Sequence, residues 1–132
     1  MRVLLDTHAL LWAALSPGKL PVKTRALLES FNTEVLVSAA SAWEIATKVR
    51  IGKLPGAAGF SAEISARIEQ LGFHPLAVTL EHASRAGLLA IPHRDPFDRM
   101  LIAQAQAENL PLVSNERLFD SFGIRRIWVG PS

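Results

Sequence analysis

Four acidic residues stand where this chain could use them for chemistry: Asp6, Glu44, Asp98 and Glu116. Asp6 ends the apolar run Val3-Leu4-Leu5, Glu44 follows Val35-Leu36-Val37 by two helical turns, and Glu116 closes Leu112-Val113-Ser114-Asn115. Asp98 lies just inside a helix that opens on Asp95-Pro96. In an open parallel α/β sheet, ligands bind at the carboxyl ends of the strands, where loops diverge and helix N-termini point inward. Carboxylates gathered there repel one another unless a cation compensates, and an all-oxygen set suits Mg²⁺ or Mn²⁺. The chain has no cysteine, so thiolate metal sites, disulfides and thiol nucleophiles are excluded.

Each acid also has a plainer account. Asp6 suits the N-cap of the following helix, and Glu44 can pair with Lys48 at i+4. Asp95 is explained by the unpaired N–H groups of a helix start. Asp98 is harder to dismiss, because its helix face continues through Leu101, Ile102 and Ala105, and a carboxylate above a core stripe needs a partner. Glu116 is equally compatible with a helix start capped by Ser114 or Asn115. Thr7 and Ser114 stand beside the acids and could orient them. Lys48, Arg50 and Lys53 lie near Glu44, while Arg94 and Arg99 flank Asp98. A solvated face is the default for these bases, and phosphate contact is the second choice. The four histidines lack ligand spacing and receive no metal role.

The elements that must position these residues follow from periodicity. Branched runs free of polar residues at the N-terminus and at 35–37 read as strands buried on both sides. Phe73 to Val78 is a weaker strand, placed at an edge by Pro75. Leu112-Val113 gives a fourth strand and Ile127 to Val129 a fifth. Between them the pattern predicts helices over 7–15, 21–32 (Pro21 first, Val22, Leu27, Leu28 and Phe31 inward), 38–49 (Ala42, Ile45, Ala46 and Val49 inward), 62–71, 80–89, 96–108 and 117–122. Strands alternating with helices imply a three-layer α/β/α sandwich on a central parallel sheet of four to five strands.

At 132 residues the chain is expected to form one domain, 1–132. Mean hydropathy is +0.23, and the helix over 7–15 is apolar nearly all round, so burial against a second chain is expected. The longest apolar run, Ala9 to Leu15, is too short to span a bilayer, and Asp6 and His8 interrupt any leader-like start; a cytoplasmic location is expected. With the four acids in one cleft, the remainder carries 14 bases against 8 acids. A basic body around an acidic pocket suits a polyanionic substrate cleaved with a divalent cation.

Four blocks, Leu4-Leu5-Asp6-Thr7-His8, Ser38 to Ile45 (SAASAWEI), His93 to Arg99 (HRDPFDR) and Leu112-Val113-Ser114, resemble in order the motifs of PIN-domain ribonucleases of the VapC toxin type. The resemblance covers essentially the whole chain. It implies a PIN-like sandwich, Mg²⁺- or Mn²⁺-dependent endoribonuclease activity, homodimerisation and a cognate antitoxin. Asp6, Glu44 and Asp98 match that family's first three acids. The fourth block departs, because Glu116 stands where an Asp is usual. The alternative is a catalytically weakened PIN-fold module that binds an antitoxin or RNA without cleaving. A phospho-receiver domain is set aside because the third strand carries His74-Pro75 instead of an acceptor Asp. An Asp-x-Asp phosphatase is set aside because His8 replaces the second acid.

Overall fold

The computed structural model of the chain describes residues 1–128. Its centre is strand β1 (Arg2–Leu5), whose last three residues are buried. Five parallel strands run in the order β3-β2-β1-β4-β5, with β2 over Glu34–Ser38, β3 over His74–Leu76, β4 over Leu112–Val113 and β5 over Arg126–Ile127. Alternate side chains of β1 and β2 feed two separate cores, as the period of a strand requires. Val3, Leu5, Val35 and Val37 face one core, and Leu4, Leu36 and Leu112 face the other.

The first core is closed by helices α1 (Thr7–Leu15), α2 (Val22–Glu29), α3 (Ala39–Arg50), α4 (Ala58–Ala62) and α5 (Ile64–Gln70), through Leu10, Leu28, Ile45, Phe60 and Ile68. The second is closed by α7 (Pro96–Ala107) and a 3₁₀ turn over Arg117–Ser121, through Leu101, Ile102, Ala105 and Phe119; α6 (Leu80–Leu88) packs on α7. This is the expected three-layer α/β/α sandwich. Pro75 lies in edge strand β3, where its missing N–H leaves no gap in the sheet interior. Among the described residues no helix is long and apolar enough to cross a membrane.

Several expectations are corrected. Pro21 is the N-cap of α2, not its first residue, and the helix stops at Glu29, so Phe31 and Val22 point to solvent instead of inward. The Ser30 hydroxyl accepts from Asn32 N–H and turns the chain toward β2. The helix expected over 62–71 is two, α4 and α5, broken at Glu63 (φ −125, ψ 34), with α4 seating Phe60 in the core. Arg117–Ser121 forms a 3₁₀ turn and not an α-helix. On α3 the buried residues are Ala40, Ser41, Glu44 and Ile45, while Ala46 is exposed. Strand β5 starts a residue earlier than expected, and Val129 lies outside the described residues.

Candidate active site

Asp6 leaves β1 at its carboxyl end and is held from three sides. Its backbone N–H donates to the Val113 carbonyl of β4 (3.0 Å), its Oδ1 accepts from Ala9 N–H (2.7 Å), and the Ser114 hydroxyl bonds its carboxylate. The helix cap and the candidate site acid are therefore the same group. Asp6 is only 3% exposed. Burial pushes its carboxyl from 3.8 up to about 6, against the opposing bonds from Ser114 and Ala9; His8 lowers it and Glu116 raises it further.

Ser114 links two of the acids. Its hydroxyl oxygen accepts from Glu116 N–H (3.0 Å) while it bonds Asp6, fixing the loop after β4 relative to β1. Glu116 itself is half-buried, 3.6 Å from His8 Nδ1. Its charge bears on both Asp6 and Asp98, so these three acids share one field.

Asp98 sits in the first turn of α7, which Asp95 caps by accepting from Phe97 N–H (2.9 Å) and Asp98 N–H (3.1 Å) with Pro96 at the first position. Burial pushes the Asp98 carboxyl up, and Asp95 and Glu116 add to this, although His93 Nε2 lies 2.8 Å from Oδ2 and opposes it.

Glu44 occupies the buried side of α3, 5% exposed. Thr7 donates to its Oε1 (2.6 Å) and Lys48 Nζ to its Oε2 (2.6 Å). The Ser41 hydroxyl lies 3.1 Å from Thr7 Oγ1, and since Thr7 has one proton, already given to the carboxylate, Ser41 donates to Thr7. The bond from Glu44 holds the Lys48 ammonium above its usual range, with added attraction from Asp95 and Asp98. Lys48 is thus paired with Glu44 and also feels the charge of Asp98.

The expected acids are therefore gathered at one end of the sheet, and Thr7 and Ser114 do bond them. The bases divide. Arg50 and Arg94 are exposed, and Lys48 is engaged by Glu44. Arg99, expected as a possible phosphate contact, is instead a structural clamp. Its guanidinium donates to the carbonyls of Ala86, Gly87, Leu89, Ile91 and His93. Those carbonyls belong to the C-terminal end of α6 and the loop after it, which have no helical donors. Sequence reasoning missed His93 and Ser41. Ser41 lies one turn before Glu44 on the same face, a spacing that could have shown it; the pairing of His93 with Asp98 has no local signal.

As the side chains stand, Glu44 is turned to Lys48 and Asp98 to His93, and among the described residues no group of three or more acidic or histidine side chains is poised to hold a cation. The donor chemistry nevertheless fits a hard divalent cation. The donors are carboxylate oxygens, and the most buried of them, Asp6, has a carboxyl raised for want of a compensating charge.

Comparison with known proteins bears on the family and the fold. The chain is 39% identical over 62 residues to Ribonuclease VapC16 of Mycobacterium tuberculosis; that stretch covers 47% of this chain and 44% of the relative, less than half of its length. Solved structures share the fold at low identity. VapBC from Salmonella typhimurium bound to DNA superposes with a TM-score of 0.67 at 22% identity, covering 98% of this chain and 99% of that one. VapBC2 from Rickettsia felis, bound to a promoter DNA fragment, gives 0.66 at 15%, covering 96% and 98%. A toxin–antitoxin complex from Klebsiella pneumoniae gives 0.61 at 15%, covering 95% of each chain. The model of the PIN domain matches residues 3–124, and with nearly the whole length matched, the chain belongs to the PIN domain family.

Proposed function

We propose that this chain is a Mg²⁺- or Mn²⁺-dependent endoribonuclease, the toxin of a toxin–antitoxin pair, working as one domain over 1–132 in the cytoplasm. The observation that carries the reading is that Asp6 and Asp98 are both pushed up by burial and both feel the charge of the half-buried Glu116, which places the three carboxylates in one field. The likeness to a Mycobacterium ribonuclease supports ribonuclease chemistry, and the likeness to VapBC and toxin–antitoxin complexes supports an antitoxin partner.

Asp6, Glu44 and Asp98 would hold the cation, with Glu116 reaching it through a water. A bound Mg²⁺ or Mn²⁺ supplies Lewis acidity toward the phosphodiester and its attacking water. Asp6 is held in place by Ala9 N–H and Ser114, so it needs no rearrangement to act. Glu44 stays oriented by Thr7 when Lys48 lets go of Oε2, and that release frees an ammonium for the substrate phosphate. Arg50 and Arg94 add exposed positive charge for the strand. Exposed Val22, Phe31, Leu80 and Leu88 supply apolar surface for an antitoxin or a second copy.

One observation favours the second reading, a binding module without catalysis. Glu44 is already neutralised by Lys48, and Glu116 is longer than the Asp usual at its position. The two readings separate in one assay, cleavage of single-stranded RNA by purified, antitoxin-free protein with Mg²⁺, Mn²⁺ or EDTA. Cleavage with either metal, abolished by EDTA and by Asp98→Asn, is the expected result. RNA binding without cleavage in either metal would overturn the nuclease reading.

A further inference from the structure

Beside the carboxylates lies a recess of about 360 Å³ that the metal chemistry does not use. It opens between the N-terminal turns of α3 and α7 and is walled by Ala40, Trp43, Val78, Gly87, Phe97 and Met100. Trp43 is 62% exposed, although tryptophan is among the costliest side chains to leave in water. Its ring is held by the edge of Phe97 at 4.9 Å in a T-shaped contact. Each ring is the immediate chain neighbour of a site acid, Trp43 of Glu44 and Phe97 of Asp98. The other two tryptophans, Trp12 and Trp128, face each other at 5.7 Å in or beside the first core, so neither offers a free face here.

We propose that this recess receives one unpaired base of a single-stranded RNA, stacked on Trp43, and so sets where the strand lies relative to the carboxylates. The proposal rests on the nuclease reading for the identity of the ligand. Stacking on an aromatic face is how single strands are held without base pairing, and it serves any base. The charge around the recess fits a strand. Arg50 stands two turns beyond Trp43 on the same face of α3, and Arg94 lies three residues before Phe97; among the described residues neither is in an ion pair. The size also fits a base better than a protein partner, since a recess of this volume admits one ring system, whereas a stable protein interface needs about 800 Å² from each side.

The test uses the full chain in EDTA, so that binding is read without cleavage, with an RNA octamer of adenosine and an abasic octamer of equal charge. The adenosine octamer is expected to quench tryptophan fluorescence and to bind about tenfold more tightly than the abasic one. Trp43→Ala should erase both the quenching and the preference, and Trp43→Phe should keep part of the preference. Gly87→Met offers an independent variant. Gly87 lines the recess and a Cβ there meets nothing within 4 Å, so a longer side chain can be introduced at its wall, and it too should erase the preference. Equal binding of the two octamers, or an adenosine preference that survives both Trp43→Ala and Gly87→Met, would overturn the proposal. A recess that takes an apolar side chain of a protein partner gives no quenching by either octamer, which overturns it as well. Cleavage with Mg²⁺, measured in parallel, tests the nuclease reading separately: base-dependent quenching without cleavage leaves the recess standing and removes the enzyme, and cleavage without base preference does the reverse.

Discussion

Replacing Asp6 by asparagine is expected to stabilise the metal-free protein at neutral pH. The folded carboxyl takes up its proton near pH 6 and the unfolded one near 3.8. Between those values the folded state therefore holds more protons than the unfolded chain, and stability falls as pH rises through the interval. Above pH 6 the full penalty is present, about 3 kcal/mol for a group this deeply buried. Asparagine cannot ionise, and it caps a helix about as well as aspartate, so the bond from Ala9 N–H survives. What it loses is the charge that strengthens the Ser114 bond, about 1 kcal/mol. The variant should then be more stable than the wild type by about 1–2 kcal/mol at pH 7.5, and equal or slightly weaker at pH 4. Urea unfolding in EDTA at intervals between those values measures it, and with a slope of about 2 kcal/mol per molar the midpoint should rise by roughly 0.5–1 M at pH 7.5. Parallel profiles for the two proteins, or a wild-type advantage that grows with pH, would refute the account of Asp6 as a carboxylate desolvated without compensation.

Two further outcomes are expected. Arg99→Lys should cost about 2–3 kcal/mol in urea unfolding, because an ammonium cannot span five carbonyls that a guanidinium fork satisfies, while RNA affinity of the folded fraction stays unchanged; a selective loss of RNA binding would restore Arg99 as a phosphate contact. Glu116→Gln should reduce RNA cleavage less than Asp6→Asn or Asp98→Asn, and Glu116→Asp should preserve it, because Mg²⁺ tolerates displaced direct ligands poorly; a loss as complete as that of Asp98→Asn would make Glu116 a direct ligand.

The sheet and the ends of its strands were legible because buried parallel strands carry a signal in every residue. Val3-Leu4-Leu5 and Val35-Leu36-Val37 have no polar face, and an acid after such a run stands out. The start of α7 was equally plain, since Asp95-Pro96 satisfies two separate requirements of a helix N-terminus. The face of α3 was not legible. Periodicity assigns polar residues to water, and on this helix Ser41 and Glu44 are buried because the helix begins at the strand ends, where polar groups find partners in Thr7 and Lys48. Arg99 was misread for a related reason: its partners are backbone carbonyls, which leave no trace in side-chain identity. The break at Glu63 and the outward turn of Phe31 are set by how short segments meet the core, which local pattern does not encode.

The position of β1 at the middle of the sheet has a consequence for the order in which the chain can fold. Its pairing with β2 joins residues about thirty apart, but its other edge pairs Leu4 with Leu112 and Leu5 with Val113. Closing so long a loop comes late, because its entropy must be lost before the contacts repay it. The Ser114 bond to Asp6 depends on that closure, since Ser114 reaches Asp6 only when β4 is docked. A chain that emerges N-terminal end first can therefore assemble β1, β2 and the helices of the first core while the acid cluster is still open. Glu116 comes to Asp6 only once β4 is docked, so the acid cluster is among the last parts of the fold to close.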